Sequence, residues 1–366
     1  IKTVHPNTAF LDSLAYYASS IVPKDVMESG KFAENPIGAG PFMHLSSSDS
    51  ETRMAAFDRY FEGRPFVDQL VFNYQTAQEQ KEAFLRGEIA YLKPSSAVFA
   101  ELQATGRFQV REMPEPQATF ATINWTKPYL QDKRVRLALN YAVDREDMIR
   151  QLTGGTAKPS HGPIPHGLQG YNPQIQTYSY DPNKARQLLA QSGLNRELVL
   201  HLGTQAALGE YLKGAWEKVG FRIRIETPSA ADTASGKSYA DRDLGAGNWL
   251  ADTGDPDNYL TALFHTDAIR SKTNRGLYSS PRVDALLEQA RAVREPNRRM
   301  KAYDEIQRLI IDDVPIVFLY NLTSRYLMQP TLQNLVPHPL SILRYKNAWV
   351  EEQSDEAAAQ AAATKG

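Results

Sequence analysis

Hydrophobic positions along the chain repeat every three to four residues in some stretches and every second residue in others. Helices and strands are therefore expected to alternate. Over 7–19, Phe10, Leu11, Leu14, Ala15 and Ala18 fall on one helical face, with Asn7 or Thr8 placed to cap its start. Strands are expected over 42–45, 53–60 and 69–74, where Leu70, Phe72 and Tyr74 alternate as a half-buried strand requires. A helix over 78–85 should stop at Gly87, a residue free to take positive φ. A strand over 89–92, a helix over 97–104 and strands over 108–113 and 119–123 follow.

The character changes after Asn124. The spacing predicts one long helix over 132–152, burying Val135, Leu139, Ala142 and Val143. A loop rich in Gly, Pro and His covers 154–173. Asp181 and Pro182 open the next helix, where proline's missing N–H costs no hydrogen bond. Strand, helix and strand then succeed one another over 198–202, 207–219 and 221–226, a βαβ unit with the usual right-handed crossover. Helices over 281–293 and 297–312 and a buried strand over 314–319 complete the pattern. The Ala-rich 353–366 has no apolar face to bury and reads as a mobile tail. The class is α/β.

Composition narrows the function. Lys and Arg total 41 and Asp and Glu total 42 in 366 residues, so the chain has no basic excess to hold nucleic acid. Arg134, Arg136 and the pair Arg298 and Arg299 read as solvated helix faces. The chain has no cysteine, which removes disulfides, thiolate metal sites and cysteine nucleophiles. No apolar run approaches the roughly 18–20 residues of a membrane span. The opening Ile1-Lys-Thr-Val-His-Pro reads as the middle of a domain, so a processed or truncated product is expected.

Chemistry is sparse. No catalytic motif is present, and no cofactor is expected. Gly38-Ala-Gly40 lacks a third glycine and runs into Pro41, so it reads as a turn entering a strand. His161 and His166 are too few for a transition-metal site. One segment stands out: Trp249-Leu-Ala-Asp252-Thr-Gly-Asp255-Pro256-Asp257-Asn258-Tyr259. As a calcium loop its spacing is wrong. Asp255, Asp257 and Asn258 suit a turn and a helix cap. Taken alone, Asp252 is a turn residue and Trp249 a core tryptophan.

Seven segments in order resemble the family 5 bacterial extracellular solute-binding proteins. They are Asn35-Pro-Ile-Gly-Ala-Gly-Pro-Phe42, Gly87-Glu-Ile89, the run from Asp132 to Arg145, Tyr180 to Leu189, Trp216-Glu-Lys-Val-Gly220, Trp249 to Asn258, and Tyr278 to Leu287. The resemblance implies a two-lobed, type II periplasmic-binding-protein-like fold that closes on ligand in an interlobe cleft. Lobe one would be 1–123 plus 324–352, and lobe two 124–323. It also implies that the beginning of lobe one and an extra domain are lacking. The implied function is the substrate-binding component of an ABC importer, periplasmic or otherwise extracytoplasmic. Its partners would be a short peptide and the membrane permease. In such proteins Asp252 would pair with the peptide's α-ammonium group and Trp249 would wall the site. A nickel complex, haem or a sugar as ligand, or a sensor role in a transcription regulator, are the alternatives.

Overall fold

The computed structural model describes residues 1–203, 205–340 and 343–351. Two compact units share the chain. The smaller takes Tyr17–Met113 and the described residues from Ser324 onward; the larger takes Ile1–Tyr16 and Pro114–Thr323.

After a short helical stretch at Lys24–Glu28, the smaller unit forms an antiparallel sheet of β1 (Phe42–Ser47), β2 (Glu51–Ala56) and β3 (Gln69–Asn73), in that order. Phe42 lies opposite Ala56, and Thr52 opposite Phe72. Leu70 and Phe72 are half-buried as the alternation predicts, whereas Tyr74 is exposed. Helix α1 (Ala77–Leu85) starts at a reciprocal cap between Thr76 and Glu79. Gly87, just past its end, has φ +80°. Strand β4 (Tyr91–Leu92) and helix α2 (Ser96–Gln103) follow. The core here is thin, with Phe84, Leu92, Phe99, Leu102 and Leu327 in one cluster. Met43, Leu45, Phe61, Phe66 and Val71 remain exposed.

The larger unit is built on a mixed sheet. Its strands are β5 (Gln109–Ile123), β6 (Lys158–Pro159), β7 (Glu197–His201), β8 (Arg222–Glu226), β9 (Leu244–Leu250) and β10 (Ile316–Met328). The order runs β10-β5-β9-β7-β8, with β6 on the outer side of β10. β7 lies parallel to both β8 and β9, and β5 antiparallel to β9. The boundaries between the units fall inside β5 and β10, whose outer ends belong to the smaller unit. There Leu327 of β10 pairs with Leu92 of β4.

Around this sheet pack α3 (Lys133–Tyr141), α4 (Arg145–Thr153), α5 (Pro182–Ser192) and α6 (Ala206–Glu217). Leu139, Leu198, Leu200, Leu212 and Trp216 form one apolar cluster with them. Each fully buried leucine contributes roughly 1.5–3 kcal/mol. The Trp216 indole N–H donates to the Leu139 carbonyl at 3.0 Å, so the ring is buried without a lost hydrogen bond.

Three departures from expectation concern whole elements. The helix over 132–152 is two helices, because Asp144 turns extended and caps α4 through the Asp147 N–H. Arg145 then enters the interior and donates to the carbonyls of Val143, Tyr178 and Phe318. The strands over 108–113 and 119–123 are one strand, β5, since Pro114 and Pro116 can hold extended backbone and the Pro116 carbonyl still accepts from Ala251 N–H. The helix over 7–19 shrinks to Phe10–Leu14 and a turn at Tyr17–Ser19. Its expected apolar face stays exposed at Leu11 and Leu14, because the segment docks through Ala9 and Thr8. Thr8 donates from both its backbone N–H and its hydroxyl to the Arg291 carbonyl.

That docking carries 1–16 into the larger unit, and pairing with β9 carries 114–123 there too. The units thus divide the chain differently from the expected lobes at those two stretches. The expected tail at 353–366 lies outside the described residues.

Candidate ligand-binding site

The Trp249–Asp257 segment is held by strand at one end and helix at the other. Trp249 sits in β9 opposite Ala118 of β5. The last strand-like bond comes from Ala251 N–H to the Pro116 carbonyl at 2.9 Å. Helix α7 (Pro256–Phe264) begins five residues later, with Pro256 in its first turn and Asp255 as its cap. The Asp255 carboxylate takes the Asp257 N–H at 2.8 Å, as the turn-rich sequence predicts.

Two arginines of later helices fix this turn. Helix α8 (Pro281–Ala292) supplies Arg291, and α9 (Pro296–Asp313) supplies Arg299. Arg299 clasps Asp255 with two parallel bonds of 2.6 and 2.8 Å and also donates to the Tyr303 hydroxyl. Both partners of this pair are more than nine-tenths buried. Burial works to lower the Arg299 pKa, but the Asp255 carboxylate overrides it and holds the guanidinium above its ordinary range. Arg291 donates to Asp257 at 2.9 Å and to Thr261 at 3.1 Å. Burial nevertheless pushes the Asp257 carboxyl up, with Arg291 opposing.

Asp252 is different. Its carboxylate has no hydrogen-bond or ion-pair partner among the described residues, and burial alone raises its pKa. It opens on a cavity of about 490 Å³ that Trp249, Asp257, Asn258 and His265 also line, with Asn7 and Ala9 from the start of the chain. The Trp249 Nε1, the Asp257 Oδ1 and the Asn258 Oδ1 are buried without hydrogen-bond partners among the described residues. The Arg275 guanidinium lies 5.7 Å from the Trp249 ring centre, a cation–π contact. A buried polar atom without a partner is costly, so these groups are open to whatever donors and acceptors enter the cavity.

Both singled-out residues, Trp249 and Asp252, therefore line one cavity. Sequence reasoning missed the clamp. Arg299 was expected on a solvated face, yet it is 7% exposed, because Asp255 waits for it across the helix pair. Arg136 is also buried and donates to the carbonyls of Leu130, Gln131 and Asp313; Arg134 and Arg298 do face solvent. The spacing of Arg291 and Arg299, eight residues apart and flanking a proline, was the available signal, but nothing in it names their partners. His161 bonds Gln176, and His166 packs edge-on against Tyr171. Gly38 and Gly40 are exposed residues just before β1.

With this fold and site in place, the class of the molecule follows from comparison. A family model described as bacterial extracellular solute-binding proteins, family 5, matches residues 1–271. The chain belongs to that family. Among its relatives, the dipeptide-binding protein of Escherichia coli is 28% identical over 366 residues, covering 94% of this chain and 68% of its own length. Di/tripeptide-binding protein 2 of Pseudomonas aeruginosa is 28% identical over 331 residues, covering 85% of this chain and 62% of its own. The chain thus spans about two thirds of the length of such relatives.

Among solved structures, HbpA2 of Haemophilus parasuis superposes with a TM-score of 0.85 at 23% identity, over 95% of this chain and 72% of that one. The binding protein DppA of Helicobacter pylori, solved with the peptide STSA, gives 0.79 at 24%, over 95% and 71%. The fold is α/β and of the type II periplasmic-binding-protein kind. Among the described residues no helix is long and apolar enough to cross a membrane.

Proposed function

We propose that this chain is the substrate-binding component of an ABC importer and that its Asp252 receives the α-ammonium group of a short peptide. The observation that carries this reading is the unpaired, half-buried Asp252 carboxylate in a cavity with three other unsatisfied polar atoms. An ammonium ion offers three donors and a full charge, which a carboxylate in that setting lacks. A peptide amino terminus also carries a carbonyl within reach of an N–H donor such as the Trp249 indole. One fixed carboxylate reads every peptide amino terminus and ignores the side chains that follow. The peptide-binding relatives support the same ligand class, and delivery to a membrane permease belongs to the same proposal.

The test is calorimetric titration with di- to pentapeptides and their N-acetylated forms. Free peptides should bind, and acetylated ones should bind at least tenfold more weakly. Equal affinity would sink the role of Asp252. A relative named heme-binding protein A, 26% identical, makes haem the control ligand for the same titration.

A further inference from the structure

A second cavity lies along the other part of β9, and Trp249 lines both. Gly245, Gly247 and Trp249 share one face of this strand, opposite Thr122, Phe120 and Ala118 of β5. Two successive glycines on that face leave a trough. The Arg242 side chain lies across Gly245, where an added Cβ would meet its guanidinium carbon at 2.3 Å and push the guanidinium aside. Above Gly247 nothing lies within 4 Å of a Cβ position. The trough encloses a space of about 40 Å³, bounded also by Arg275, Tyr278 and Phe264.

Arg242 is 8% exposed and has no carboxylate partner among the described residues. One of its terminal nitrogens donates to the Thr122 hydroxyl at 3.0 Å and to the Arg275 carbonyl at 2.9 Å. Also near it are the Tyr239 ring at 4.8 Å, the exposed second cation Arg275, and the buried His201, which burial and then Arg242 hold below its ordinary range. Burial pulls its pKa down to about 10; Tyr239 opposes this and Arg275 adds to it. A buried guanidinium with no acid against it among the described residues leaves positive charge uncompensated. The space is large enough for roughly three waters or one small ion.

We infer that the Arg242–Arg275 trough over Gly247 is a binding site for a compact monovalent anion, either a free ion such as chloride or a carboxylate group. Planar guanidinium groups receive such anions through short, charge-assisted hydrogen bonds. Trp249 lines both this trough and the Asp252 cavity, so an anion here would also settle the indole that walls that cavity.

Thermal melting in sodium chloride and in sodium methanesulfonate at equal ionic strength tests the site, because the methanesulfonate head, unlike chloride or a carboxylate, is too large for a trough of about 40 Å³. The chain should melt about 2–4 °C higher in chloride. Arg242→Gln should abolish the difference. That change also removes the bonds to Thr122 and Arg275, so Gly247→Val is the second variant. It fills the open space with a residue that suits a strand, and it should fold and lose the chloride effect. Equal melting of the unaltered chain in both salts overturns the proposal, and so does a chloride effect that survives in Gly247→Val. The source of the anion is separated by repeating the melts with a free-acid peptide and its C-terminal amide. Competition with chloride by the acid alone assigns the site to a ligand carboxylate; additive effects assign it to the free ion.

Discussion

The two ends of the Trp249–Asp257 segment use the same residue type for opposite purposes. At the helix end, Asp255 and Asp257 each meet an arginine, and Asp255 is closed off with Arg299 and Tyr303. At the strand end, Asp252 meets nothing among the described residues and faces open space. The paired end is a fixed mount. The unpaired end keeps a carboxylate ready for a cation from outside. Only Thr253 and Gly254 lie between Asp252 and Asp255, so the mount sets where the free carboxylate stands. Rigid support behind a binding group is what converts attraction into affinity, since less freedom is then lost on binding.

The sharpest way to break this contrast is to remove one member of the buried pair. Arg299→Met leaves Asp255 buried and uncompensated and should cost roughly 3–5 kcal/mol of stability in urea unfolding. The double change Asp255→Leu with Arg299→Met should cost clearly less than the sum of the two single changes, as a double-mutant cycle will show. At the unpaired end the effect should fall on the ligand and spare the fold. Asp252→Asn should weaken peptide binding by roughly 2–4 kcal/mol, about 30- to 1,000-fold in Kd.

That same variant should melt slightly higher at neutral pH. A carboxyl whose pKa is raised on folding costs nothing below its unfolded pKa and its full cost above the folded one. Neutral pH therefore lies where the cost is present, and the amide relieves it. Peptide affinity should also decline on acidification, starting above the ordinary aspartate range near ~3.9, because Asp252 must be ionised to hold an ammonium. Calorimetry across a pH series gives that curve, and Asp252→Asn should flatten it. The smallest effect belongs to Trp249→Phe, which keeps an aromatic wall and removes only the Nε1 donor. Peptide Kd should rise by roughly 2- to 10-fold, the worth of one hydrogen bond.

Local patterns were legible wherever a residue acts on its own neighbourhood. Asp181 and Pro182 opened a helix, Asp255 capped one, and Gly87 followed one with positive φ. The alternation of Phe221, Ile223 and Ile225 gave β8 with little error, since a strand's two faces are set by the side chains themselves. The break after Tyr141 was not legible. The apolar spacing continues through Ala142 and Val143, and only the carbonyls of Tyr178 and Phe318 explain why Arg145 turns inward. Likewise the apolar face of 7–19 promised burial that the fold does not provide, because Thr8 anchors the segment elsewhere.

The sequence by itself determined the α/β class, the family, and two of the residues, Trp249 and Asp252, that line the candidate cavity. These rest on short-range periodicity and on motifs that can be read in order. Only the tertiary structure decided which charges are spent and which are free. Arg299 reaches Asp255 across 44 residues of chain, while among the described residues Asp252 reaches no partner and the buried Arg242 meets no acid. Charge compensation depends on distance and burial in space, and neither is written in the spacing of residues along the chain.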